Sequence, residues 1–147
     1  MPNAPTEIPF EEGLKALNAG RTGEALDWFA KAVAEEKTPR AVSYLAYCRA
    51  KAEGNCKAAI ALCMEALKDE PKNSDIYLNL GRVHLLAGQR KSAIRAFDLG
   101  LRYGRNPQIE NELSLIGRRK APPLPFLSRS NPLNKLLVKF LKKLGLR

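Results

Sequence analysis

Residues 74–107 read SDIYLNLGRVHLLAGQRKSAIRAFDLGLRYGRNP, and this stretch decides the fold. It holds two apolar-periodic runs, IYLNLGRVHLL and SAIRAFDLGLR, separated by AGQRK. Apolar residues recur at helical spacing in both runs, and a glycine after the first run can take the left-handed conformation that closes a helix. The segment therefore predicts two helices joined by a tight turn. Working outward, the same columns recur upstream. Gly88 is preceded at intervals of 34 by Gly54 and Gly20, Ala93 by Ala59 and Ala25, Phe97 by Cys63 and Phe29, and Gly100 by Ala66 and Ala32. A fixed period of that length marks an array of structural repeats.

The columns are physically coherent. Each glycine follows one helical stretch and precedes another: GEALDWFAKAVAEE, CKAAIALCMEALKDE and KSAIRAFDLGLRYG. Small residues stand where two helices must approach closely, and Leu26, Phe29, Ala30 and Val33 make an apolar stripe. Pro39, Pro71 and Pro107 fall near the repeat boundaries, where proline can start a helix but not continue one. Helix pairs are predicted at about 10–19 and 22–36, 40–53 and 56–69, and 74–87 and 90–103. The segment PQIENELSLIGR, residues 107–118, predicts a seventh helix that packs Ile109, Leu113 and Ile116 on the third repeat and turns Glu110, Asn111 and Ser114 to water.

The third unit closely resembles a tetratricopeptide repeat, with Tyr77, Leu80, Gly81, Gly88, Ala93, Phe97 and Gly100 on the signature. The second unit matches at Ala46, Gly54, Ala59, Ala66 and Pro71. It departs at Tyr47, where a small residue is usual, and at Cys63, where an aromatic is usual. The first unit matches at Gly13, Gly20, Ala25, Phe29 and Ala32. It departs at Pro9 and Glu12, so its first helix is expected to start late. The resemblance implies an all-α, right-handed solenoid of helix-turn-helix repeats. The expected organisation is an N-terminal flank (1–5), three repeats (6–39, 40–73 and 74–107), a capping helix (108–118), a Pro-rich linker (119–130) and a basic amphipathic helix (131–147).

The resemblance also implies a binding groove lined by the first helix of each pair. Its residues here are Phe10, Leu14 and Leu17, then Tyr44, Cys48 and Lys51, then Leu78, Asn79, Arg82 and Leu85. Some members of the family clamp a peptide's terminal carboxylate with several basic and amide residues. Only Lys51, Asn79 and Arg82 could contribute here, and the first unit offers none. An amphipathic helix or an extended apolar peptide is the expected guest. Packing between helices competes with ligand contact at every one of these positions. Tyr44 and Arg82 are favoured as contacts because both residue types are enriched at binding hot spots.

Chemistry-bearing patterns are missing from the sequence. His84 is the single histidine, and no nucleophile–base set, metal-protease helix, P-loop or dinucleotide fingerprint occurs. Cys48, Cys56 and Cys63 form no CxxC pair, which argues against a zinc site and a disulfide framework. A non-catalytic protein without cofactor or metal is expected, binding a protein or peptide partner in a reducing cytoplasm.

The formal charge of +10 is unevenly placed. Residues 1–117 carry 16 Lys/Arg against 15 Asp/Glu, while residues 118–147 carry 9 Lys/Arg and no acid. Pro122, Pro123 and Pro125 favour an extended linker, and include a PxxP match of a kind common by chance. SNPLNKLLVKFLKKLGLR follows. Ser130 or Asn131 can cap a helix with Pro132 at its first position, and Gly145 can end it. Leu133, Leu136, Leu137, Phe140, Leu141 and Leu144 fall within an arc of about 140°. Lys135, Lys139, Lys142 and Lys143 take the other side, and Val138 is out of place. Such a helix is too short to span a bilayer and marginal alone. It needs an anionic membrane, a partner protein or the repeats themselves. The alternative function is thus a peripheral membrane adaptor. The shortage of aromatics and of a reading motif argues against nucleic acid.

Overall fold

A computed structural model of the chain describes residues 7–117 and 132–145. Among them are eight helices: α1 (Glu7–Asn18), α2 (Thr22–Glu35), α3 (Pro39–Glu53), α4 (Cys56–Asp69), α5 (Ser74–Leu86), α6 (Arg90–Arg102), α7 (Pro107–Gly117) and α8 (Pro132–Lys143). By contacts the chain divides into two compact units, Met1–Leu113 and Ser114–Arg147.

Within the first unit each of α1 to α5 packs on the next, α5 packs on α6, and α3 also packs on α5. This is an all-helical solenoid in which each repeat buries its face on its neighbour. The turn inside each pair rests on the glycine column: Gly20, Gly54 and Gly88 have φ of 77°, 81° and 75°. An L side chain resists that conformation, so the 34-residue spacing is a spacing of turns. The first turns are capped as their residue types dictate. Thr38 Oγ1 accepts from the Ala41 N–H at 3.2 Å, and Asn55 Oδ1 from the Ala58 N–H at 3.2 Å. Pro39 and Pro107 occupy the first positions of α3 and α7, whereas Pro71 lies in the turn before α5.

One boundary differs from expectation. α1 already runs from Glu7, with Pro9 buried in its first described turn. Proline is tolerated there because a first-turn N–H has no intrahelical acceptor to lose. In α7, Ile109 is fully buried and Glu110, Asn111 and Ser114 are exposed.

The core consists of two clusters. One joins Ala16, Ala25, Phe29, Tyr44, Leu45 and Cys48. The other joins Ala46, Ala50, Ala59, Cys63, Leu80, Val83 and Ala96. Tyr47 packs against both. The repeats thus share a continuous interior, as a solenoid requires.

In the second unit, α8 shows two sides. Asn134 is buried and Leu137, Val138 and Leu141 are half-buried, while Leu133, Leu136, Phe140 and Leu144 are exposed. The covered side therefore runs through Val138, which the sequence pattern set among the lysines, and the six apolar residues do not act as one face. The Pro-rich linker (119–130) with its PxxP match, and the cap candidates Ser130 and Asn131, lie outside the described residues.

Candidate partner-binding face

The first helices α1, α3 and α5 are linked by a line of contacts between aromatic and charged groups. Phe10 on α1 meets Phe29 and Tyr44 edge-on, with ring centroids 5.6 and 5.4 Å apart, and Phe29 stacks on Tyr44 at 5.1 Å. The Arg40 guanidinium lies 4.4 Å over the Phe10 ring and donates through Nε to Asp75 Oδ2 at 2.7 Å. Asp75 Oδ1 in turn accepts from Asn106 Nδ2 at 3.1 Å, just before α7. Phe10, Arg40, Asp75 and Asn106 thus link α1, α3, α5 and the start of α7 in turn.

Of the ten residues expected to line the groove, four are withdrawn into the interior. Cys48, Leu78 and Asn79 have no exposed surface and Tyr44 has 2%. Their side chains pack between helices, and Tyr44, expected as a contact, offers almost no surface as the helices stand. Burial pushes the Tyr44 phenol up to about 12, helped by the Asp75 carboxylate and opposed by Arg40 and Arg82. Burial likewise pushes the Cys48 thiol up to about 11. Asn79 Nδ2 donates to Ser43 Oγ at 3.0 Å, so its polar end is directed to the neighbouring α3.

The other six retain surface. Phe10, Leu14, Leu17, Arg82 and Leu85 are half-buried, and Lys51 is exposed. Arg82 is engaged: Nε donates to Glu112 Oε1 at 3.0 Å and Nη2 to Gln108 Oε1 at 3.5 Å, and its guanidinium lies 5.3 Å over the Tyr47 ring. Lys51 approaches the same ring at 6.0 Å. Lys51, Asn79 and Arg82 therefore do not converge as a free anion clamp. Arg82 serves α7, and Asn79 serves α3.

Two lining elements escaped the sequence. Tyr47 is one, a half-buried ring between two cations. The other is a cleft of about 510 Å³ lined by Phe10 and Leu14 with Ala32, Thr38 and Ala41, and edged by Glu7, Glu11, Glu36, Glu70 and Arg40. Its carboxylates come from α1, from the residue after α2 and from the residue after α4. Glu36 and Glu70 stand one 34-residue period apart, but only the stacking of repeats brings them beside Glu7 and Glu11.

Among the described residues, no group of three His, Cys, Asp or Glu side chains stands close enough to hold a metal ion. His84 Nδ1 lies 2.7 Å from Gln89 Oε1, across the turn between α5 and α6. Cys63 is buried and its thiol pushed up to about 12, which favours the inert protonated form. No helix among the described residues is long and apolar enough to cross a membrane.

Residues 50–113 match the family described as tetratricopeptide repeat. The first tetratricopeptide domain of human RPAP3 superposes with a TM-score of 0.59 at 18% identity, over 77% of this chain and 90% of that one. The Sgt2 tetratricopeptide domain from Aspergillus fumigatus gives 0.57 at 19% identity, over 91% and 95%. The P58(IPK) tetratricopeptide domain gives 0.57 at 20% identity over 77% of this chain, which spans 33% of that domain's length. No curated protein matches the chain as a sequence relative.

Proposed function

From a chain that carries tetratricopeptide repeats, matched over residues 50–113 and with that family's fold, we propose a non-catalytic interaction scaffold that binds a peptide or helix through the face of its first helices. Tetratricopeptide domains generally mediate protein–protein interaction, and the fold is typically a scaffold. The observation that carries the reading is the cleft floored by Phe10 and Leu14 and edged by four glutamates. Such a surface suits a guest with an apolar anchor and a neighbouring Lys or Arg. The apolar part leaves water, while the rim charges set orientation and association rate. Phe10, Leu14, Leu17, Lys51 and Leu85 are the contacts proposed from the original set, with Tyr47 and the glutamates added.

Peptides selected from a random display library on the immobilised full chain test this reading. The expected winners combine an aliphatic or aromatic anchor with a basic residue. Glu7→Lys with Glu36→Lys should weaken them by roughly tenfold and flatten their salt dependence. Selected peptides that ignore both substitutions and Leu14→Gln would place the binding surface elsewhere.

A second reading is attachment to an anionic membrane through α8, with the chain peripheral to it. The apolar side chains that α8 leaves exposed favour it.

A further inference from the structure

α8 carries four lysines and no acidic residue, and residues 118–147 contain no Asp or Glu at all. Its outward apolar residues, with Leu144 just after it, are the most exposed large apolar side chains among the described residues: Leu133 at 56%, Leu136 at 65%, Phe140 at 57% and Leu144 at 55%. At helical spacing these four fall within an arc of about 80°. Exposed apolar residues scattered singly need no explanation, but a contiguous stripe does. Two of the lysines border this stripe. Lys139 and Lys143, with Leu136, Leu137 and Phe140, line a shallow recess of about 460 Å³. Lys135 and Lys142 fall on the far side of the helix, roughly 150° from the centre of the stripe.

Resting on the membrane reading, we propose that α8 lies in the plane of an anionic bilayer surface. Leu136, Phe140 and Leu144 enter below the headgroups beside Leu133, and Lys139 and Lys143 reach the lipid phosphates. The charge sign selects an anionic partner. The stripe selects lipid over nucleic acid, which would take the lysines and leave four large apolar side chains in water. It also favours lipid over an acidic protein groove. The stripe has no hydrogen-bonding side chain to define a register, and a fluid surface needs none. At about 18 Å the helix matches an interfacial element rather than a spanning one.

The full chain is tested by co-sedimentation with phosphatidylcholine vesicles, with and without phosphatidylglycerol. The wild type should partition onto the anionic vesicles alone. Lys139→Gln with Lys143→Gln should lower partitioning by about fivefold per lysine, and Lys135→Gln with Lys142→Gln by less. Leu136→Gln with Phe140→Gln should reduce it to background while far-ultraviolet circular dichroism stays unchanged. No partitioning by the wild type overturns both the proposal and membrane attachment. Partitioning that survives Leu136→Gln with Phe140→Gln overturns the stripe while leaving membrane attachment standing. Equal affinity for polyglutamate, unaffected by the stripe substitutions, overturns lipid as the occupant.

Discussion

In the first and third repeats a glycine faces a phenylalanine at very short range. A Cβ built on Gly13 would lie 2.7 Å from Phe29 Cε1, and one on Gly81 would lie 2.3 Å from Phe97 Cε1. Both rings are fully buried, so there is no room for even a methyl group. The second repeat reverses the pair. Tyr47 stands in the glycine column and Cys63 in the phenylalanine column, and Tyr47 packs against the cluster that contains Cys63. Two departures from the family pattern are therefore one exchange of volume, large for small on one helix and small for large on its mate. The exchange has a measurable consequence. Cys63→Phe alone should overpack the site and cost about 1–3 kcal/mol, and Tyr47→Ala alone should cost about 2–4 kcal/mol. The double variant should be more stable than their sum by about 0.5–3 kcal/mol. Urea midpoints of the four proteins read this directly, and strict additivity would show that the two positions do not share a cavity.

At the scale of elements, α7 depends on one residue that precedes it. Asn106 Oδ1 accepts from the backbone N–H groups of Gln108 and Ile109 at 3.1 and 3.2 Å, while Nδ2 donates to Ser74 Oγ at 3.3 Å and Asp75 Oδ1 at 3.1 Å. The same side chain caps α7 and bonds the start of α5. Ile109 then enters the space beside Gly100, where an added Cβ would lie 2.6 Å from Ile109 Cδ1. Arg82 holds Glu112 one turn further along. Asn106→Ala removes the cap and leaves Asp75 with Arg40 alone among these partners. It should cost on the order of 1–2 kcal/mol. Amide exchange should rise over residues 107–113 well above the change at α3 and α4. Uniform exchange across all helices would mean that α7 has no separate dependence on its cap. Arg82 is bound to α7 for the same reason that it is a poor anion clamp: its fork is already filled.

For the first unit as a whole, buried ionisable groups set a limit at alkaline pH. Cys48 and Cys63 have ordinary values of 9.0, and burial raises them to about 11 and about 12. Tyr44 rises from 10.0 to about 12. Above pH 9 the unfolded chain releases these protons before the folded one does. The folded state then binds more protons, so stability declines as pH rises. The contribution is complete below about pH 9 and is lost progressively toward about pH 12. Urea midpoints should fall across that window, and Cys63→Ala should flatten the fall relative to its own value at neutral pH. An unaltered slope in that variant would remove the thiol from the explanation.

The periodic content of the sequence was enough for the repeat, the turn glycines and the helix starts at Pro39 and Pro107, because turns and helix starts depend on residues within one or two helical turns. It also placed the excess positive charge in residues 118–147. It was not enough for the face. Tyr44, Cys48 and Leu78 share the helical phase of Phe10 and Leu14, and periodicity alone cannot tell a side chain that lines a surface from one that closes the contact beneath it. That distinction depends on how far neighbouring repeats approach. The same holds for the acidic cleft, which joins glutamates of α1 to those that follow α2 and α4. Local chemistry determined that three helix pairs would form; stacking them decided which residues keep surface and which lose it, because burial is a property of neighbours distant along the chain.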